Sequence, residues 1–329
     1  MTASAMAAEF DDVARWTADA VERLGERYAI PAACRGSANP SALAWLAEAC
    51  ELRPGSVLLD VGAGLGGPAA WAAGRFGVRP ILLEPMPAAC SAGVRLFGLP
   101  VIMADGDRIP LRAGSVDAAW CLGVLDTVHD KGAVLSEIRR VLPPGAPLGL
   151  LAVVARDPQV RPAPEGNLFP TSPQLTKLLD GAGFDLVEQV DQPADAPLSW
   201  TRRVERVAAA VAARHRADRA HVLAAHQSES FTRLFASGQI SMQLIHATRR
   251  PTGRASEQFP DGAQISTPTG DGFEAEVEAE LSLAESSDPQ RAAALPVPDG
   301  DGATAGPAFE YVSLHGRAVP PRGTAGRTP

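Results

Sequence analysis

The chain has 329 residues, of which 46% are hydrophobic and 21% are charged, and its formal net charge is -8. These proportions are typical of a globular protein, and no apolar run reaches the roughly 18–20 residues that a membrane-spanning helix needs. The negative charge is concentrated in residues 252–329, which hold twelve Asp and Glu against five Arg, so the preceding part is almost neutral. Nucleic-acid binding needs a basic field, and we therefore expect no nucleic-acid partner.

The beginning of the sequence does not resemble a signal peptide, which would be basic and then apolar. It carries Glu9, Asp11 and Asp12 instead, and we therefore expect a cytoplasmic protein. Arginine is used almost to the exclusion of lysine, which occurs only at Lys131 and Lys177, and Ala, Gly and Pro are abundant. This composition indicates a bacterial source with GC-rich codons.

The cysteines give no indication of a metal centre. They are widely spaced and contain no C-x-x-C pair, the spacing that is typical of zinc and thioredoxin-like sites. We expect free and mostly buried thiols, and no metal site, from Cys34, Cys50, Cys90 and Cys121.

The first two predicted elements are helices. Apolar residues recur every three to five positions from Phe10 to Leu24, with acidic residues between them, which predicts an amphipathic helix. A second helix is predicted from Ser41, as N-cap, to Leu52, before an Arg-Pro-Gly turn. We expect these helices to form an N-terminal cap, residues 1–50, in front of the main fold.

The next part of the chain alternates short apolar runs with helical segments, which is typical of parallel βαβ units. The five runs are Ser56–Val61, Pro80–Glu84, Pro100–Asp105, Val116–Val124 and Leu148–Ala155. Before the fifth run, Asp130 is the predicted N-cap of a helix that a Pro-Pro-Gly sequence ends. Five parallel strands are therefore predicted.

The remaining elements follow the fifth strand. A helix is predicted over Thr171–Gly183, a sixth strand over Phe184–Val190 and a seventh over Ser241–Thr248. The helical stretch Ser199–Ser237 between these strands is longer than a usual connection, so we expect a lid, inserted at about 196–238 in a domain spanning 51–251. Beyond Arg250 few apolar clusters remain, which predicts a disordered acidic tail over 252–329.

The central motif is a strand that ends in a glycine-rich turn, over residues 57–68, with the sequence VLLDVGAGLGGP. Glycines allow a ligand to approach the backbone closely and allow positive φ. Gly62, Gly64 and Gly67 also satisfy the dinucleotide fingerprint G-x-G-x-x-G, and Glu84, twenty residues further on, could hold a ribose in either class of protein. Taken alone, the motif leaves a nicotinamide oxidoreductase open.

Four later segments distinguish these classes. Their sequences are ADGDRIPL at 104–111, GSVDAAW at 114–120, EIRRVLPPG at 137–145 and LLDGAGF at 178–184. Over about residues 50–192, and weakly over 240–250, the chain resembles class I methyltransferases that use S-adenosylmethionine (SAM). Gly66-Gly67-Pro68 further resembles their small-molecule branch, which includes sterol, tocopherol and quinone-like acceptors. The resemblance implies an α/β fold with a seven-stranded Rossmann-like sheet in the order 3-2-1-4-5-7-6, the seventh strand being antiparallel.

The resemblance also implies the residues that contact SAM. They are Asp60, Gly62, Ala63, Gly64, Glu84, Pro85, Asp105, Gly106, Leu122 and Gly123. By this resemblance Glu84 accepts hydrogen bonds from both ribose hydroxyls, because a carboxylate offers two acceptor oxygens. Asp105 accepts from the adenine amino group, with Asp107 as an alternative.

Methyl transfer requires mainly that the acceptor atom be aligned with the methyl group, and a base is needed only if the acceptor must lose a proton. The candidate bases are Asp126, His129, His221 and His226. Glu137 is interpreted as a partner of Arg140 or of a backbone donor. We expect methyl transfer from SAM to an O, N or C atom of a small apolar or aromatic metabolite under the lid. A SAM-binding accessory protein without catalysis and, less favoured, a nicotinamide oxidoreductase are the alternatives.

Overall fold

A computed structural model of the protein describes residues 3–34, 38–158, 160, 163–164, 166–193 and 196–251, with side chains from residue 8 onward. The helices are α1 (Ala3–Leu24), α2 (Ala29–Ala33), α3 (Pro40–Ala49), α4 (Gly67–Phe76), α5 (Pro87–Phe97), α6 (Lys131–Val141), α7 (Ser172–Gly181), α8 (Leu198–His215) and α9 (Arg219–Ala236). The strands are β1 (Val57–Val61), β2 (Arg79–Leu83), β3 (Val101–Ile102), β4 (Ala118–Leu122), β5 (Pro147–Ala155), β6 (Phe184–Asp191) and β7 (Ile240–Arg249). The predicted disordered tail lies outside the described residues.

The seven strands form one sheet in the order β3-β2-β1-β4-β5-β7-β6. Strands β1 to β5 run parallel, and β7 lies antiparallel between β5 and β6. The predicted strand order and the antiparallel seventh strand are therefore confirmed. Because parallel strands end at the same edge, the loops after β1, β2 and β4 meet there, where open α/β sheets bind their ligands.

Both faces of the sheet are covered, which explains why its strands are apolar without alternation. Neighbouring residues of a strand point to opposite faces, and Leu58 and Leu59 of β1 are both fully buried. Leu58 packs in a cluster that includes α3 and α4. Leu59 packs in a second cluster with α6 and α7. The loops at the carboxyl edge therefore rest on a core that is packed from both sides.

Two strands are shorter than the apolar runs predicted. The third, predicted over Pro100–Asp105, spans only Val101–Ile102, because it is an edge strand that pairs with β2 alone and only over these two residues. The fourth, predicted over Val116–Val124, spans Ala118–Leu122. It ends at Leu122, because the next residue, Gly123, has a φ of +69° that turns the chain away from the sheet. Longer loops therefore lie at the carboxyl ends of both strands.

The predicted N-terminal cap divides into two parts. Helix α3 begins at Pro40, one residue before the predicted N-cap Ser41, because the side chain of Asn39 caps it by accepting a hydrogen bond from Ala42 N at 2.8 Å. Its Leu43 packs on one face of the sheet, so α3 belongs to the helical layer of the sheet. Helices α1 and α2 lie over the carboxyl edge, where α1 packs against α5 and α2 against α4.

The predicted lid consists of two helices, α8 and α9, joined by residues 216–218. It packs against α1 through a cluster that includes Val13 and Trp16 of α1 and Val207 of α8. The ring of Trp16 stacks on His215 with a centroid separation of 4.1 Å. We refer to α1, α8 and α9 together as the helical cover. None of the described helices combines the length and apolar character that a membrane span requires.

Candidate active site

The turn between β1 and α4 has a backbone that only glycine adopts readily. Gly62 and Gly64 have φ values of +69° and +54°, in the left-handed region. A Cβ atom on Gly62 would overlap the side chain of Val124 in the loop after β4. A Cβ atom on Gly64 would meet no atom within 4 Å. The turn is therefore packed tightly against the β4 loop at Gly62 and open to a ligand at Gly64.

Glu84 holds this turn from the carboxyl end of β2. Its side chain is 2% exposed, and its Oε2 atom accepts a hydrogen bond from Gly64 N at 2.7 Å. The Oε1 atom accepts from Met86 N at 3.1 Å. Burial raises the pKa of Glu84, and these two hydrogen bonds oppose the shift by stabilising the carboxylate. Glu84 therefore shapes the glycine turn in addition to facing the space beside it.

Asp60, the last residue but one of β1, is a buried carboxyl behind the turn. It is 1% exposed, and its Oδ2 atom has no hydrogen-bond partner among the described residues. Burial, and secondarily the charge of Glu84, raise the pKa of Asp60 to about 7. The charged form of Asp60 would be stabilised by a cationic or hydrogen-bond-donating group that reached this oxygen.

A cavity of about 530 Å³ opens over these residues at the carboxyl edge of the sheet. The glycine turn, Glu84 and the loops after β2, β3 and β4 form one part of its wall, and we call the space beside them the polar compartment. Another part of the wall is apolar and includes Phe10, Phe231, Phe235 and Met242, and we call the space beside it the apolar compartment. Phe10 belongs to α1 and the other two phenylalanines to α9, so the helical cover contributes this part of the wall. The cavity therefore joins a polar and an apolar compartment.

Asp126 lies on the wall of the same cavity, in the loop after β4. It is 4% exposed, and within the described part of the chain its Oδ1 atom lacks a hydrogen-bond partner. Burial raises the pKa of Asp126 to about 6, and the charge of Lys131 acts in the opposite direction. A carboxylate with this pKa is ionised at neutral pH and can accept a proton.

Comparison with known proteins agrees with this geometry. Residues 59–150 match a family model described as a methyltransferase domain. The order of the sheet that contains this region is the one that the resemblance to class I SAM-dependent methyltransferases implies. Strands β6 and β7, which complete the sheet, lie beyond the matched residues.

Two curated relatives match parts of the chain. Methyltransferase GfsG of Streptomyces halstedii is 29% identical over 164 residues, which are 44% of this chain and 59% of GfsG. The sterol 24-C-methyltransferase of Yarrowia lipolytica is 31% identical over 179 residues, which are 47% of this chain and 46% of that enzyme. The chain thus spans about half the length of these relatives.

A solved structure shares the fold over a larger part of the chain. The crystal structure of the [4+2]-cyclase SpnF matches with a TM-score of 0.52 and 25% sequence identity, and it covers 63% of this chain and 79% of SpnF. The methyltransferase fold is therefore found in a neighbour that is described as a cyclase.

The cavity brings together nine of the ten residues that the resemblance assigned to the cofactor. Asp60 is the exception, because its side chain lies behind the wall of the cavity. Asp105 and its alternative Asp107 are both exposed and both line the cavity. Both carboxylates are therefore placed to accept a hydrogen bond from the adenine amino group of SAM, the role that the resemblance implies for Asp105.

The four candidate bases are separated by the fold. Asp126 and the exposed His129 line the cavity, whereas His221 and His226 of α9 do not. His221 is buried, and His226 is exposed. Successive helical residues are rotated by about 100°, so His226 lies roughly 140° around α9 from Phe231, which does face the cavity. The rotation of α9 thus directs its phenylalanines, and not its histidines, into the site.

Helix α1 contributes residues to the site that the amphipathic pattern did not single out. It lines the cavity with Phe10 and Ala14. These two residues are four apart and share a face, whereas Val13 and Trp16 pack within the helical cover. The i,i+4 spacing of Phe10 and Ala14 indicates that they lie on one face of α1, but the spacing does not show which face of the helix lines the cavity.

A hydrogen bond fixes α1 near the cavity. Asp11 Oδ1 accepts from Ala88 N, in the first turn of α5, at 2.6 Å. A carboxylate is favourable at a helix N-terminus, both as an acceptor and as a negative charge. Asp11 also contributes to raising the pKa of Glu84, which places its charge within electrostatic reach of the polar compartment.

Two further predictions concern residues outside the reaction. Glu137 pairs with Arg140 at 2.7 Å and accepts from Ile109 N at 2.9 Å, which confirms its interpretation as a structural residue. The four cysteines are free thiols, three of them buried, as predicted. Over the described residues, no group of His, Cys, Asp and Glu side chains is arranged to hold a metal ion.

Proposed function

We propose that the protein binds SAM in the polar compartment of the cavity and transfers its methyl group to a small, largely apolar metabolite in the other compartment. The observation that carries this proposal is that one cavity joins the glycine turn and Glu84 to the apolar side chains Phe10, Phe231 and Phe235. A polymeric acceptor is disfavoured, because the helical cover lies over the apolar compartment and leaves no room for a long chain to pass beneath it.

The residues of the polar compartment fit SAM. The carboxylate of Glu84 has about four lone-pair positions, and the two backbone hydrogen bonds use two of them, so both oxygens can still accept from ribose hydroxyls. The carboxyl of Asp60 lies behind the wall, so we expect it to favour the positive charge of the methionine moiety electrostatically and without direct contact. When bound, SAM supplies a methyl group that its sulfonium already activates.

The residues at the carboxyl end of β4 and in the loop after it support the transfer. Leu122 and Gly123 line the same cavity as the glycine turn and the apolar side chains of the helical cover. Asp126, buried and ionised at neutral pH, is positioned on the same wall to accept a proton from an acceptor hydroxyl or amine. The apolar side chains of the cover exclude water from the acceptor, which keeps it aligned and strengthens electrostatic interactions in the site.

Calorimetric titration of the purified protein tests the cofactor assignment. We expect saturable binding of SAM and of S-adenosylhomocysteine, and none of NAD at the same concentrations. Tight NAD binding without SAM binding would instead support a nicotinamide oxidoreductase. Production of S-adenosylhomocysteine from SAM in the presence of apolar hydroxylated or aminated metabolites, sterols included, then tests the transfer.

A second candidate function is SAM binding without methyl transfer, in which the protein acts as an accessory protein or catalyses a different reaction. It is supported by the likeness to SpnF, which is described as a [4+2]-cyclase. SAM that binds but stays intact in the presence of an acceptor that binds would favour this candidate. Release of S-adenosylhomocysteine in proportion to methylated product would exclude it.

The Asp126→Asn variant tests the proton-transfer role. Asparagine keeps the size of the side chain but has no basic oxygen, so we expect turnover of a hydroxyl or amine acceptor to fall roughly 10²- to 10⁴-fold. The acid limb of the wild-type rate profile, near pH 6, should disappear. SAM affinity should stay within about twofold, because Asp126 lies outside the glycine turn. An unchanged pH profile in the variant would remove Asp126 from the mechanism.

A further inference from the structure

A second cavity, of about 620 Å³, lies between the loop after β5 and the helices α6 and α7. Its wall includes the cationic side chains of Lys131 and Lys177, the ring of His129 and the apolar side chains of Leu168, Phe169 and Leu178. His129 lies on the walls of both cavities. The cofactor and the acceptor proposed above do not require this second space.

The charge on this wall is unusual for the chain. Lys131 and Lys177 are its only lysines, against 28 arginines, and both line this cavity. No arginine and no acidic residue is among the described residues of the wall. A lysine ammonium is a compact point charge with three donors, which suits the single anionic head group of a small ligand. Over the described part of this wall, the positive charge is therefore local and has no carboxylate beside it.

Lys131 is held in place for such a role. It is the first residue of α6 and is 9% exposed, and its Nζ atom donates one hydrogen bond, to Val128 O at 2.7 Å. Burial lowers the pKa of Lys131, and the charge of Asp126 opposes this shift. The positive end of the α6 dipole lies at the same position and also favours a negative charge there. A bound anion would stabilise the protonated amine.

The rest of the wall indicates an apolar portion of the ligand. Leu168 is 51% exposed, one of the few large apolar side chains that the described surface leaves so open. Phe169 and Leu178 are partly buried beside it. A ligand with an apolar chain or ring would remove these side chains from water, at roughly 25 cal/mol for each Å² of apolar surface.

We propose that this cavity binds a small amphipathic anion, a carboxylate or a phosphate carried on an apolar chain or ring. The two lysines bind the head group, and Leu168, Phe169 and Leu178 contact the apolar part. The site is distinct from the SAM site, and its occupancy does not depend on methyl transfer.

The scarcity of lysine provides a direct assay. Full-length protein labelled with ¹³C at lysine Cε gives two side-chain signals in a carbon–proton correlation spectrum, one from each lysine. The probes are octanoate, octyl phosphate, inorganic phosphate and, as the uncharged control, octanol. We expect both signals to shift saturably with octanoate or octyl phosphate, and the tighter of the two identifies the preferred head group. Inorganic phosphate should bind at least tenfold more weakly than octyl phosphate.

Lys177→Gln provides the decisive variant, because Lys177 is exposed on α7 and its replacement should not disturb folding. It assigns the remaining signal to Lys131, and that signal should then titrate with an affinity for the anion reduced about three- to tenfold. Arg53→Gln removes an exposed positive charge outside the cavity and should leave the affinity unchanged.

Three results would overturn the proposal. One is the absence of saturable shifts with either amphipathic anion at millimolar concentration. Another is an equal response to octanol or equal binding of inorganic phosphate, which would mean that the head group or the apolar part plays no role. The third is the same loss of affinity in the Arg53 and Lys177 variants, which would indicate nonspecific electrostatics.

Discussion

Removal of the Glu84 carboxylate should both loosen the glycine turn and weaken SAM binding. Glu84→Ala leaves Gly64 N and Met86 N, at present 2.7 and 3.1 Å from the carboxylate oxygens, without their acceptors. Each partly buried donor left unpaired costs about 1–2 kcal/mol, so the free energy of unfolding should fall by about 2–4 kcal/mol. For a domain of about 250 residues this corresponds to a decrease in Tm of roughly 5–15 °C.

The effect on SAM affinity is separate from the effect on stability. If Glu84 accepts hydrogen bonds from the ribose hydroxyls, its loss should weaken SAM binding at least tenfold, since charge-assisted bonds contribute about 1.5–3 kcal/mol each. Glu84→Gln keeps one acceptor oxygen but turns an amide donor toward the other backbone N–H. We therefore expect it to lie between the wild type and the alanine variant in both measurements.

Urea unfolding followed by tryptophan fluorescence measures the stability, and calorimetry of the folded variants measures SAM binding. Glu188→Gln is the matched control, because Glu188 is an exposed carboxylate on β6, away from the cavity. It should change neither quantity. If Glu84→Ala unfolds like the wild type, the carboxylate does not hold the turn. If it loses stability but binds SAM normally, Glu84 supports the backbone and does not contact the ribose.

Three further predictions concern the same cavity. The pKa of Asp60 is raised to about 7, so folded Asp60 retains a proton that the unfolded chain releases, and the free energy of unfolding falls as pH rises from about 4 to about 7. In urea unfolding between pH 5 and pH 8, the wild-type apoprotein should therefore lose on the order of 3 kcal/mol more than the Asp60→Asn variant. Equal losses in both proteins would refute the assignment. Gly62→Ala should lower Tm more than Gly98→Ala, because both positions have positive φ but only Gly62 lacks room for a Cβ atom. The difference should correspond to about 1–3 kcal/mol in the free energy of unfolding, and equal decreases in Tm would contradict this packing. Phe235→Ala should raise the KM for the acceptor and leave SAM affinity within about twofold, whereas His226→Ala, on the exposed side of the same helix, should change neither; parallel kinetic effects would show that α9 is oriented differently.

The proposed acceptor chemistry rests on the helical cover. The apolar part of the cavity wall includes residues of α1 and α9, which come from opposite ends of the described chain, and α8 packs against α1 through the stacking of His215 on Trp16. Sites that are enclosed by such separate elements can change substrate preference without any change to the glycine turn. This arrangement explains why the residues of the polar compartment could be assigned from a broad family resemblance, whereas the residues of the apolar compartment could not.

The local sequence was sufficient for the parallel strands and for the glycine turn after β1, whereas the order of the strands followed from the family resemblance. Apolar runs separated by helical segments predict parallel strands, because strands buried on both faces have no polar side. The glycine turn and the strand end at Glu84 can each be recognised from neighbouring residues in the sequence, without knowledge of a distant partner. The N-cap of α6 was predicted correctly, since Asp130 accepts from Ala133 N at 2.9 Å, but α3 is capped by Asn39 and not by the predicted Ser41.

Tertiary structure alone decided which faces meet. Periodicity shows that one side of a helix is buried, but it does not show what covers that side, so the histidines of α9 could not be separated from its phenylalanines. The same limit applies to Asp60, whose side chain lies behind the wall of the cavity because of the pleat of β1. Lys131 and Lys177 are 46 positions apart in the sequence, and only the packing of α6 and α7 around the loop after β5 brings them to one cavity.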